Sequence, residues 1–169
     1  MLRLMLFRHG KSDWNTNAQG DRERPLNDRG ERAAATMGLV LRKMGEIPDL
    51  VISSPAVRAE TTAALARISG GWGSRLEIAE ELYGTGPESA LGVVARCGED
   101  AERLMLVGHE PTWSLLAQHI TGGRIVVKTA TVLAFDLNIA KWEDVGQANG
   151  SLAFAVHPRM FTADGWELQ

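Results

Sequence analysis

Three short stretches hold the residues that could do chemistry in this sequence: Arg8-His9-Gly10, Arg58 just behind Ser53-Ser54-Pro55, and Gly108-His109-Glu110. Arginine offers a fixed cationic fork suited to a phosphate, and histidine is the side chain most readily used as a nucleophile or proton carrier near neutrality. Gly10 lets the backbone turn close to a ligand. Two histidines and two arginines, without a carboxylate cluster, suit phosphoryl transfer. Neutral imidazole attacks phosphorus, while guanidiniums and a second histidine hold the equatorial oxygens and balance the charge that develops on them. Water then hydrolyses the phosphohistidine. A zinc site fits less well, because a third ligand would have to come from Glu81, Glu110 or His119 with no recognisable spacing. No nucleophile-elbow serine, P-loop or dinucleotide fingerprint is present. Taken singly, each stretch also reads as an ordinary strand end or helix start.

Apolar periodicity says what must position these residues. Leu2 to Phe7 is a short apolar run, read as a buried strand of a parallel sheet, and Arg8-His9-Gly10 falls where that strand leaves the core. Residues 10 to 26 have no apolar period and read as a long loop of the kind that is functional or disordered. Asn27 or Asp28 caps a helix whose core face is Ala33, Met37, Val40, Leu41 and Met44, closed by Gly45 and Pro48. Leu50 to Ile52 is a second buried strand. Ser53-Ser54-Pro55 supplies a cap and an N1 proline for a helix to about Ile68, with Arg58 in its first turn, where free N–H groups already favour anions. Leu76 to Ile78 is a brief strand, and a short helix runs from Pro87 to about Arg96. Leu104 to Val107 repeats the opening pattern and ends in Gly108-His109-Glu110, before Pro111 starts a helix towards Ile120. Thr131 to Leu137 and Ser151 to Val156 are two further strands, and the tail from Pro158 reads as irregular. Strands alternating with helices imply an α/β fold, a three-layer αβα sandwich with a mainly parallel central sheet. In such a sheet His9, the helix after Ser54 and His109 can meet at one edge.

The chain has 169 residues, enough for one domain and few for two, with 44% hydrophobic and 23% charged residues, the make-up of an ordinary soluble protein. One domain spanning 1–169 is expected. A net charge of −3 gives no overall positive field for nucleic acid or an acidic membrane surface. Cys97 is the only cysteine, so no intramolecular disulfide can form; it reads as a small buried residue in a reducing compartment. There is no signal-peptide pattern and no apolar run of membrane-spanning length, so a cytoplasmic setting is expected.

Arg8-His9-Gly10-Lys11-Ser12-Asp13-Trp14, then Asp21 with Arg24-Pro25-Leu26-Asn27, then Ser53-Ser54-Pro55-Ala56-Val57-Arg58-Ala59, then Val107-Gly108-His109-Glu110-Pro111 resembles the histidine phosphatase superfamily. More narrowly the pattern is similar to the short, SixA-type phosphohistidine phosphatases. The match runs in order from residue 2 to about 120. The resemblance implies a phosphoglycerate mutase-like fold, His9 as nucleophile, Arg8 and Arg58 as phosphate ligands and His109 as a donor to the phosphate. It also implies a substrate that is either a phosphorylated protein, such as a histidine phosphotransfer domain in a bacterial relay, or a small phosphorylated molecule.

The general acid is where the resemblance thins. Longer members of the superfamily place an acidic residue after the third strand; here Glu80 and Glu81 are the candidates, although solvated surface glutamates are also an ordinary reading. When phosphate leaves a histidine nitrogen the departing imidazole can take its own proton, whereas an alkoxide needs a positioned acid. A preference for phosphoramidates or good leaving groups follows. The segment from Tyr83 to Leu104 is too short for the insertion that encloses small substrates in longer members, which implies an open site. Gly10, Ser12 and Asn15 are further candidates for contacting substrate, though loop Ser and Asn commonly cap their own backbone. Trp14, Trp72 and Trp113 either rim the site or, for the latter two, pack elsewhere, and His119 and His157 read as ordinary hydrogen-bonded histidines. Glu110 departs from the amide that the family often has after this histidine. No metal or organic cofactor is implied, insensitivity to EDTA is expected, and a monomer is the default. The alternatives are a small-ester phosphatase or mutase of the same superfamily, and a module that senses phosphate without turnover.

Overall fold

A computed structural model describes residues 1–97 and 101–162. Six strands form one sheet: β1 (Leu2–Arg8), β2 (Leu50–Ser53), β3 (Arg75–Ile78), β4 (Arg103–Gly108), β5 (Val132–Leu137) and β6 (Gly150–Val156). Their order is β3-β2-β4-β1-β5-β6. The pairings from β3 to β1 are parallel, whereas β5 and β6 are antiparallel to their neighbours, so the sheet is mixed with a parallel half that carries the site. β1 is apolar and buried from Leu4 to Phe7 because both of its faces are covered there. Leu4 and Leu6 point into one core and Met5 and Phe7 into the other.

Helices α1 (Asp28–Lys43) and α2 (Val57–Gly70) cover the Met5 face, packing Met37, Val40, Leu41, Ala59 and Ala63 onto it. On the opposite face lie α3 (Pro87–Ala95), α4 (Thr112–Thr121) and a 3₁₀ turn at Trp142–Gln147. Trp113 and Trp72 are core residues, at 1% and 6% exposure. The Trp113 indole N–H donates to the carbonyl of Phe7 at 3.0 Å, tying α4 to the strand that delivers Arg8 and His9. The chain therefore has the α/β sandwich expected of it.

Several local expectations change. Asn27 does cap α1, its side chain accepting from the Gly30 N–H at 2.9 Å. Met44, however, is 41% exposed, because the helix ends at Lys43 and the next residue leaves the buried face. Pro55 is not the first residue of α2, which starts at Val57 behind Ala56 with no side-chain cap. The Ser54 hydroxyl accepts the Ala56 N–H just ahead of the helix and also reaches into the site. α4 begins one residue after Pro111. The chain beyond Pro158 forms a short helix α5 (Arg159–Thr162), and the rest of the tail lies outside the described residues. No helix among the described residues is long and apolar enough to cross a membrane.

Candidate active site

The site forms where β1, β2 and β4 end side by side. Arg8 is in register with Gly108, the His9 amide donates to the Gly108 carbonyl at 3.0 Å, and the Ser54 amide donates to the Val107 carbonyl at 2.9 Å. Parallel pairing thus brings His9, Ser54 and His109 together, although each is about fifty residues from the next in the chain. The His9 and His109 ring centroids are 5.0 Å apart.

His9 has its Nδ1 2.6 Å from the Gly10 carbonyl oxygen. A carbonyl can only accept, so Nδ1 carries the proton. The ring is neutral: burial above all, helped by the charges of His109, Arg58 and Arg8, pushes its pKa down to about 3. A neutral ring protonated at Nδ1 has its lone pair on Nε2, which is the arrangement a nucleophile requires. Burial, then Arg58 and Arg8, likewise lower His109, to about 4. Its Nε2 lies 2.8 Å from the Ser54 hydroxyl, which also receives the Ala56 N–H at 3.3 Å, and its Nδ1 is buried with no partner among the described residues.

The two arginines are held from outside the site. Arg8 donates through Nη1 to the Val127 carbonyl at 2.6 Å, and Arg58, 5% exposed, gives Nη1 and Nη2 to the carbonyl and carboxylate of Asp21 at 2.5 and 2.9 Å. In each guanidinium Nε is buried and unpartnered among the described residues. Arg8, Arg58 and His109, each with such an orphaned nitrogen, line one cavity of about 180 Å³ together with His9, Ser12 and Glu110. Buried nitrogens without partners are costly in isolation and well suited to an anion with several acceptor oxygens. A second space of about 400 Å³ shares Arg58, His109 and Glu110 with the first and continues past Asp21, Tyr83 and Thr112. Among the described residues no three His, Cys, Asp or Glu side chains gather as a metal site would need.

Asp21 is the residue that the sequence motif contained but left without a role. Its carboxylate accepts from Arg58, from Arg24 at 2.7 Å and from the Tyr83 hydroxyl at 3.0 Å. Burial alone would raise its pKa, but these donors outweigh it and hold the group at about 2. Arg24 also donates to the Ser12 hydroxyl at 2.8 Å and lies 3.7 Å over the exposed Trp14 ring. In the sequence Arg24 is likewise only a motif letter, while Ser54 reads as a helix cap and Tyr83 bounds a segment, because their partners His109 and Asp21 are distant in the chain.

Other candidates are placed differently. The Gly10 N–H is taken by the Thr62 hydroxyl at 3.0 Å, so it is not free for a ligand. What demands glycine there is α1: a Cβ on Gly10 would stand 2.6 Å from the Gly30 carbonyl oxygen. Ser12 is buried and lines the cavity, whereas Asn15 is exposed and outside that lining, its N–H bonded to Asp13. Glu80 and Glu81 turn away from both spaces, toward Arg22 and Arg96 at 2.7 Å each, because their 3₁₀ turn buries Leu82 instead. Glu110 lines the cavity, accepts from Ser114 at 2.9 Å and acts on Arg8 through its charge. His157 accepts the Arg159 N–H, His119 is exposed, and Cys97 is half-buried with its thiol pushed up to about 11 by burial.

The two depressed histidines of the site, His9 and His109, make stability depend on pH. Both pKa values lie below the ordinary 6.5, so the unfolded chain takes up protons first and stability falls as pH drops from about 6.5 towards 4. Each histidine contributes a slope of up to ~1.4 kcal/mol per pH unit there. Between pH 7 and 5, denaturant unfolding should show the wild type losing on the order of 3 kcal/mol more than a His9→Gln/His109→Gln variant. Equal losses would mean that the rings are not held neutral.

The sequence model described as histidine phosphatase superfamily (branch 1) matches residues 4–85. An uncharacterized protein of Mycobacterium tuberculosis is 38% identical over 111 residues, which is 66% of this chain and 67% of that protein. Among solved structures, a candidate phosphohistidine phosphatase SixA from Nakamurella multipartitia superposes with a TM-score of 0.81 at 28% identity, covering 93% of this chain and 96% of its own. The protein histidine phosphatase SixA complexed with tungstate shares the fold, with a TM-score of 0.77 at 22% identity over 94% of this chain and 99% of that one.

Proposed function

Because the chain belongs to the histidine phosphatase superfamily, we infer that it is a phosphatase working through a covalent phosphohistidine on His9, with phosphohistidine on a protein as its substrate. The observation that carries this reading is the His9 tautomer: Nδ1–H committed to the Gly10 carbonyl in a neutral ring, so that Nε2 is the free nucleophile. The phosphoryl group binds among Arg8, Arg58 and His109, whose N–H groups donate to its equatorial oxygens. The His9 Nε2–P bond forms as the bond from phosphorus to the substrate nitrogen breaks. Water then attacks phosphorus, the Nε2–P bond breaks, and inorganic phosphate leaves with neutral His9 restored.

Ser54 positions His109. With its hydroxyl donating to Nε2, the His109 proton sits on Nδ1, the nitrogen that lacks a protein partner. Asp21 positions Arg58 in the same sense, through both its carbonyl and its carboxylate. Guanidinium charge takes the part that a metal plays in other phosphatases, so EDTA should leave the rate unchanged. The space running past Tyr83 and Thr112 is where the departing group would lie, and its size of about 400 Å³ suits a side chain carried by a protein.

Turnover with EDTA present on a phosphohistidine-bearing protein and on a panel of small phosphate esters tests the reading. The phosphoprotein should have the highest kcat/KM. Preference for one small ester would move the protein to a metabolic role, and no activity on any substrate would favour a phosphate-sensing module.

A further inference from the structure

Beside the catalytic cavity lies another, of about 280 Å³, that the proposed reaction does not use. Its walls come from the loop after β1 (Lys11), the first half of α1 (Arg29 and Arg32), the turn before β5 (Thr129) and the residues entering α5 (His157 and Arg159). Lys11 and Thr129 line both cavities, which places the two side by side. Four cationic side chains and no carboxylate form this lining, in a chain whose net charge is −3. Among the described residues no carboxylate forms an ion pair with any of the four.

The form of this cluster says what kind of anion it suits. A compact phosphate is typically gripped by convergent, partly buried donors, as at Arg8 and Arg58. Here Lys11, Arg29, Arg32 and Arg159 are all exposed and spread around an open groove. Long, mobile cations arranged that way match several carboxylates strung along a peptide better than one small ion. His157 registers the same field: burial first, then Arg159, Lys128 and Arg29, lowers its pKa. A concentrated positive strip on an otherwise acidic protein also steers anionic partners toward the adjoining site, most strongly at low salt.

We propose that this groove receives an acidic segment of the phosphorylated protein whose phosphoryl group occupies the neighbouring catalytic cavity. The inference rests on the protein-phosphohistidine reading above and adds the chemistry by which such a substrate is chosen. Two phosphohistidine peptides, one flanked by glutamates and one by glutamines, would be compared at low salt, with p-nitrophenyl phosphate reporting on the catalytic cavity alone. For the wild type, kcat/KM should favour the acidic peptide by about tenfold or more, a preference that 0.5 M salt removes. Arg29→Glu/Arg32→Glu should abolish the preference and leave p-nitrophenyl phosphate turnover within about twofold, while Arg29→Lys/Arg32→Lys should keep most of it. An unchanged peptide preference in the charge-reversed variant, or an equal fall on p-nitrophenyl phosphate, would overturn the assignment. If neither peptide is hydrolysed while p-nitrophenyl phosphate is, the protein-substrate reading fails by itself. The groove is then decided by titrating an unphosphorylated glutamate-rich peptide into wild type and Arg29→Glu/Arg32→Glu: saturable binding to the wild type alone supports it, and binding to neither or equally to both refutes it.

Discussion

Replacing His9 with alanine should lower kcat on the best substrate by at least about a thousandfold while leaving phosphate binding nearly intact. The two halves of this expectation come from different features of the site. His9 is neutral in the free protein, so removing it takes no positive charge from the anion site; Arg8, Arg58 and the His109 Nδ1 remain. Inorganic phosphate should therefore bind the variant within a few-fold of its wild-type affinity. Loss of Nε2, by contrast, removes the atom to which the proposed reaction transfers phosphorus, and water in the same cavity is a much weaker nucleophile than imidazole. Rapid quenching at alkaline pH should trap an acid-labile phosphoryl group on His9 in the wild type and none in the variant. Residual turnover within about tenfold of wild type would remove His9 as nucleophile.

The same site explains what was legible in the sequence. β1 and β4 are short apolar runs buried on both faces, each followed at once by a histidine, and burial on both faces is what a continuous apolar run encodes. Arg58 could be put at the start of a helix because Gly, Ser and Pro mark boundaries locally. What escaped was whatever depends on a distant partner. Pro55 invites a helix start two residues early, but α2 begins at Val57, and the Ser54 hydroxyl that accepts the Ala56 N–H also reaches His109, a residue fifty-five positions away. Gly10 looked like a ligand-approach glycine, yet its neighbour is the backbone of Gly30, and its N–H goes to Thr62. The antiparallel sense of β5 and β6 leaves no trace in their composition, since an apolar strand reads the same in both directions.

Asp21 is the sharpest case, and it changes the electrostatic reading of the site. The sequence suggests a cluster of cations; the structure adds one carboxylate fixed among Arg24, Arg58 and Tyr83. Its pKa of about 2 keeps it charged at any working pH, so it lends Arg58 a fixed counter-ion rather than a proton. Arg58 is thereby held in place before a phosphate arrives, and ordering a long side chain in advance lowers the cost of binding.

That same absence of an available proton sets how the enzyme should choose among leaving groups. Glu80 and Glu81 are committed to Arg22 and Arg96 outside the site, Asp21 is held ionised, and both histidines are neutral well above their depressed pKa values. Glu110 stands in the cavity but accepts the Ser114 hydroxyl and faces the charge of Arg8. A positioned general acid contributes typically ~10²–10⁴-fold, and an alkoxide leaving without one forfeits that factor. An imidazole leaving from phosphohistidine takes its proton from solvent on the other ring nitrogen, and a phenolate stabilised by a nitro group departs with little need of one. Phosphoramidate and p-nitrophenyl phosphate should therefore exceed a simple alkyl phosphate by at least about a hundredfold in kcat/KM at pH 7. Glu80→Gln/Glu81→Gln should change none of these rates by more than about threefold, since only an exposed ion pair is lost at each position. Glu110→Gln separates the remaining case: if Glu110 served as an acid, the substitution would depress the alkyl phosphate alone. A high rate on alkyl phosphate in the wild type that collapses in Glu110→Gln would place a general acid beside His109 and overturn the leaving-group argument.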